Sequence, residues 1–395
     1  MKVIYRTIII FILFGINEKL TAQCNMETLL SKLNSNNRIE VYEALDSIVI
    51  CNITEAIPTL ENKFNSEQGI TLKHYFLDAL YKLNASNIQS LANSFINSVD
   101  DLSAPEGIKL SDKLYAVEIL FDLGDYSYAQ LVFDIVDDNT LTFNSLLIDL
   151  LDKIARNVPS LEEEAKSRLI YQSLNSNYGW DRYRALNNLV DNYNGEVMDL
   201  LIEISENDAD MSVRMGAIKH LIDLNYINLN PFLKQRIYYE VDPSIRVNIA
   251  DALLTQFGEP ADLKSVIEYL PNEMDSISYS VIENYVEIFI PAKPVSLNLL
   301  GKVTKLISYV SEMYSYQWIA NTQTRDYYIS KLNLLKRQIE SSRFRDACTT
   351  INNDLLARIE TDLASSNITI EGYKFLHYYC VYIKEDFPQG LDPCP

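Results

Sequence analysis

The chain has 395 residues and a formal net charge of -20, with 54 acidic side chains against 34 basic ones. That balance repels phosphate backbones, so nucleic acid is not expected as a partner. Apolar residues make up 48% and glycine occurs only 11 times, which excludes a disordered chain and favours helices over glycine-turned β-structure.

Residues 1–22 begin with Lys2 and Arg6, continue through the apolar run Thr7 to Phe14, and end Leu20-Thr21-Ala22. A basic start, a short apolar core and small residues before a cut describe a signal peptide removed after Ala22. The apolar run is too short to anchor the chain across a bilayer. No transmembrane anchor is therefore expected after cleavage, and a secreted or periplasmic (cell-envelope) location is. Cys24 raises lipidation as an alternative, but Gln23 stands where a bacterial lipoprotein signal wants a small residue, so a lipid anchor at Cys24 is disfavoured. Export permits disulfides. Cys24 and Cys51 fall in the first helical pair and can bridge. Two of Cys348, Cys380 and Cys394 can also pair, leaving one over.

Downstream, two segments nearly repeat each other. Asp210, Val213 and Arg214 in one correspond to Asp242, Ile245 and Arg246 in the other, with the arginines 32 residues apart, and the small residues Ala217 and Ala250 follow. Each aspartate stands where it can cap a helix, each arginine follows one turn later, and the small residue lets a neighbouring helix approach. Weaker copies precede them: Arg38 to Leu45, Leu72 to Leu80, Lys113 to Leu120, Ser145 to Leu151, and Trp180 to Leu189 with Arg184 in the arginine slot. A second amphipathic stretch follows each copy, and Asn194-Gly195, Asn230-Pro231 and Gly258-Glu259-Pro260 supply breaks. About seven helical pairs of a stacked solenoid are implied.

This pattern resembles the HEAT-repeat, or armadillo-like, family. The resemblance implies an all-α fold, a right-handed α–α superhelix, over residues 23–290, and a structural ladder between neighbouring pairs carried by Asp210, Arg214, Asp242 and Arg246. Pro291 and Pro294 break the pattern, so residues 291–296 read as a linker. Residues 297–390 then show four helical stretches, the last capped by Thr369 with Glu371 in its first turn. Lys331, Leu332, Lys336, Ala347, Ile351, the run Ile368 to Tyr373, Leu376 and Tyr379 resemble a FIMAH-like module of bacterial extracellular proteins, which implies attachment rather than catalysis. A plain helical bundle is the rival reading.

The sequence carries no His-Glu-x-x-His, no Gly-x-Ser-x-Gly and no phosphate-cradling loop. His74, His220 and His377 stand alone on separate helices, and Glu206, Asp208 and Asp210 read as a solvated turn with one cap rather than a calcium site. No catalytic, cofactor-binding or metal-binding residues are assigned, and no cofactor is expected. The leading expectation is a non-catalytic secreted or periplasmic interaction module whose solenoid binds a protein partner. The alternatives are a HEAT-like enzyme of the lyase type and a carbohydrate- or surface-binding structural protein.

Overall fold

The computed structural model describes residues 24–138 and 145–388. Among them the chain is all-helical, a solenoid-like repeat of paired helices; the proposed signal peptide and Cys394 lie outside the described residues. The backbone packs as two compact units that divide between Val197 and Met198.

Unit 1 holds α1 (Met26–Lys32), α2 (Arg38–Ile50), α3 (Ile57–Ser66), α4 (Ile70–Lys82), α5 (Ile88–Ser98), α6 (Glu106–Asp122), α7 (Ala129–Asp138), α8 (Ser145–Asn157), α9 (Glu162–Asn175) and α10 (Gly179–Tyr193). Each odd-numbered helix packs on the even-numbered helix that follows it, and the even ones stack on one another in file. Small buried residues mark the even row: Ala44 in α2, Ala116 in α6 and Ala185 in α10 are inaccessible to solvent. Outside that core the same row is tied by polar side chains. Tyr115 donates its hydroxyl to Asp78 and Tyr81 to Asp122, Lys153 reaches Glu118 and Asp122, and Arg184 forks onto Asp149.

Unit 2 continues with α11 (Met198–Asn207), α12 (Met211–Asp223), α13 (Leu229–Tyr239), α14 (Pro243–Ala252), α15 (Pro260–Tyr269) and α16 (Ser276–Ile288). Here α12, α14 and α16 stack in file, as do α13 and α15. A terminal bundle follows: α17 (Leu299–Ser315), α18 (Thr322–Glu340), α19 (Phe344–Thr349), α20 (Ala357–Ala364) and α21 (Ile370–Glu385), with a π-helical stretch Thr350–Leu356 joining α19 to α20. Thr369 caps α21 through the Gly372 N–H, with Glu371 in the first turn.

Several helices end on left-handed residues, yet few of these are glycine. Asn52, Asn84, Asn225, Gln317, Ser342 and Ser366 all have φ between 50° and 64°. Each lets the next N–H turn back to a carbonyl five residues earlier, as Ile53 does to Ile48, Tyr226 to Leu221 and Trp318 to Met313. A glycine-poor chain thus meets its helix stops mostly with asparagine and serine.

The two prolines do not separate compact units. Lys374 of α21 donates to the Val286 and Glu287 carbonyls at 2.7 and 2.6 Å, satisfying the C-terminal end of α16. Tyr382 donates to the Pro291 carbonyl at 2.7 Å, Lys305 pairs with Glu259 at 2.7 Å, and the Phe289 ring meets Phe375 at 5.8 Å. The stretch expected to be a linker is bound on both sides, and the bundle belongs to the same unit as the last repeats.

Candidate binding surface

Three helices of unit 2 begin alike. Asp210 accepts from Ser212 N at 2.8 Å, Asp242 from Ser244 N and Ile245 N at 2.9 and 3.2 Å, and Asp275 from Ser278 N at 2.8 Å. Two residues before each cap stands another acid. Asp208, Glu240 and Glu273 accept from the N–H groups of Asp210, Asp242 and Asp275 at 2.7, 2.8 and 2.9 Å. The acid-x-Asp spacing therefore folds each loop onto itself while the aspartate starts the helix.

The arginines then join one loop to the next. Arg214 donates through Nε and Nη2 to Glu240 at 3.2 and 2.8 Å, and through Nη1 to the Asp208 carbonyl at 2.8 Å. Arg246 repeats this with Glu273 at 2.7 and 2.5 Å and the Glu240 carbonyl at 3.1 Å. The carboxylates that receive the arginines are thus Glu240 and Glu273, not the expected Asp210 and Asp242. A capping aspartate has committed its oxygen to helix N–H groups, whereas a glutamate in the loop has both oxygens in reach of a forked guanidinium. At the third copy Tyr279 replaces the arginine and turns to Glu283 on its own helix. The earlier equivalent is Arg182 rather than Arg184. Arg182 lies 32 residues before Arg214 and donates Nη1 to the Ser176 carbonyl six residues back, as the other two arginines do to Asp208 and Glu240.

Glu240 and Glu273 have fully shielded side chains. Burial pushes the Glu273 carboxyl up, but Arg246, the Asp275 N–H and the Tyr269 hydroxyl outweigh it and hold the group down at about 2. Burial likewise pushes the Glu240 carboxyl up, and Arg214, the Asp242 N–H and Arg236 overcome it and hold the group below its ordinary value. The residue four before each glutamate differs between copies. Tyr269 donates to Glu273 at 2.9 Å, whereas Arg236 donates to Glu240 at 2.5 Å. Arg236 also lines a cleft of about 220 Å³ with Glu206, Asn207, Phe232, Gln235 and Tyr239.

These same loops carry an apolar edge. Val241 and Met274, each the middle residue of an acid-x-Asp triplet, are 78% and 96% exposed. Met211, Tyr239 and Ile277 flank them and are also exposed. A side chain of that size left in water at the same place in successive repeats is not accounted for by folding.

The remaining candidates are structural. Cys24 is disulfide-bonded to Cys51, which ties the segment before α1 to the end of α2. Cys348 is disulfide-bonded. Cys380 is free and buried in α21, and burial pushes its thiol up to about 12, which leaves it unreactive. His74 lies 2.9 Å from Asp112 between Tyr75 and Tyr115, and His377 stacks on Tyr373. Among the described residues no three His, Cys, Asp or Glu side chains gather as metal ligands would, and no helix is long and apolar enough to cross a membrane. Compared with known proteins, the chain matches no family model, no curated sequence and no solved structure.

Sequence reading missed Glu240, Glu273, Arg236, Tyr269 and Arg182. The signal was present as a second period: an acid two residues before each capping aspartate, at 208, 240 and 273.

Proposed function

We propose that the protein is a non-catalytic interaction module of the cell envelope or the secreted fraction, whose unit 2 repeats bind a protein partner along the edge built from Met211, Tyr239, Val241, Met274 and Ile277. The observation that carries this reading is the exposure of Val241 and Met274 at one place in successive repeats, on loops that the Arg214–Glu240 and Arg246–Glu273 pairs hold rigid. The capping carboxylates of Asp210, Asp242 and Asp275 border that edge, and the chain is strongly acidic. The partner we infer is accordingly an apolar segment flanked by lysine or arginine, with acidity disfavouring nucleic acid. The Asp-x-x-Val/Ile-Arg copies support a HEAT-like identity for the repeats, and the bundle of α17 to α21 suits a FIMAH-like attachment role. The signal-peptide pattern of residues 1–22 and the Cys24–Cys51 disulfide support export to an oxidising compartment.

The test is fluorescence anisotropy with the full chain and two peptides sharing one apolar core, flanked either by lysines or by glutamates. The lysine-flanked peptide binds, and binding weakens as salt rises. Val241→Asp and Met274→Asp lose at least tenfold in affinity with unchanged unfolding midpoints. Equal binding of both peptides, or full binding by the two variants, would sink the reading.

A further inference from the structure

We propose that the cleft between α11 and α13 is a binding site for a monocarboxylate carried on an aromatic or apolar group, held by Arg236. The site is independent of the apolar edge and stands or falls by itself.

The internal repeat shows what is unusual here. At Glu273 one guanidinium, Arg246, neutralises one carboxylate, and the neutral hydroxyl of Tyr269 completes the set. At Glu240 the same carboxylate serves two guanidinium groups, Arg214 and Arg236. Tyr269 shows that holding the glutamate does not require a cation at this position. Arg236 is 8% exposed, and among the described residues no acceptor reaches its Nε. That nitrogen is shielded, so a ligand meets Arg236 only where the side chain lines the cleft, and a guanidinium is built to take a carboxylate. The nearby Lys234 is committed to Asp262 at 2.7 Å, which leaves Arg236 as the cation of the cleft.

The other walls define the ligand. Phe232 and Tyr239 offer aromatic surface, and Asn207 and Gln235 offer amide donors. Glu206 brings a negative charge to the same cleft, which repels a phosphate or a dicarboxylate more strongly than a single carboxylate. That chemistry is shared by a free aromatic acid and by the C-terminal residue of a peptide.

The experiment is isothermal titration of the full chain with N-acetylphenylalanine, with its amide, and with a pentapeptide ending in phenylalanine as free acid or amide. The free acids bind saturably and the amides do not. A pentapeptide that binds more tightly than N-acetylphenylalanine assigns the site to a peptide C-terminus, and equal affinities assign it to a small acid. Arg236→Tyr, which copies the arrangement at Glu273, weakens binding at least tenfold while the unfolding midpoint holds. Glu206→Gln tightens binding severalfold and gives a second readout on a fully folded chain. No saturable binding of either free acid, or equal binding by Arg236→Tyr and Glu206→Gln, overturns the proposal.

Discussion

Replacing Arg246 with methionine isolates the ladder. Glu273 accepts four hydrogen bonds, two from Arg246 at 2.7 and 2.5 Å and one each from Tyr269 and the Asp275 N–H at 2.9 Å. Methionine keeps the apolar stem but removes two of these and the only neutralising charge, leaving a shielded carboxylate. Breaking a buried pair in this way costs about 3 kcal/mol or more, or about 6–12 °C in Tm for a unit of this size. The pH dependence fixes the cause. In the native chain Glu273 is held at about 2, below its ordinary 4.5. Its contribution is therefore complete above about pH 4.5 and is lost as pH falls toward 2. In Arg246→Met burial prevails, the carboxyl moves above its ordinary value, and folding takes up a proton. The variant then gains stability as pH falls from 7 toward 4.5, so the deficit is largest at neutral pH and shrinks in mild acid. Arg214→Met is the internal control, because Glu240 keeps the Arg236 cation and loses less. Thermal and urea unfolding of the full chain by circular dichroism at pH 7 and 4.5 decide the matter. A deficit at pH 7 below about 0.5 kcal/mol, in the range of ordinary surface substitutions, would refute the reasoning. So would a deficit unchanged at pH 4.5.

Three further outcomes follow from the packing. Gly372→Ala places a Cβ 2.8 Å from the Trp318 carbonyl, where Thr369 N already bonds, and destabilises the bundle by about 1–3 kcal/mol in urea melts. Lys374→Met strips the Val286 and Glu287 carbonyls of their donor and costs about 1–3 kcal/mol; hydrogen exchange of α16 rises first at its C-terminal turn. Cys24→Ser with Cys51→Ser opens a loop with a sequence separation of 27 and costs about 3–4 kcal/mol, read as the difference between the variant and the native chain in non-reducing urea melts.

Local chemistry was readable in the sequence where it repeats on one helix. Asp210 and Asp242 announced helix starts because an N-cap works on N–H groups within three residues, and Thr369 with Glu371 announced α21 for the same reason. The partners of Arg214 and Arg246 were not readable, since they lie 26 and 27 residues away across a second helix. Arg184 reads as the repeat arginine in sequence, yet the side chain that turns back on its own loop is Arg182, three residues before Ala185, as Arg214 is before Ala217. Pro291 and Pro294 stop a helix, but proline says nothing of Lys374 and Tyr382 returning from far along the chain to bind the end of α16 and the Pro291 carbonyl. The cleft at Arg236 needed the comparison with Tyr269, which exists only once both are seen on their glutamates.

The most direct test of the interaction reading is site-specific photocrosslinking in cell-envelope extract. A photoreactive residue goes at Met274 or at Val241, with the exposed Asn333 of α18 as control. The account predicts one protein crosslinked from both edge positions and not from Asn333, through a partner peptide whose apolar residues are flanked by lysine or arginine. Crosslinks that are absent from the edge, equal at Asn333, or mapped to an acidic segment would contradict it.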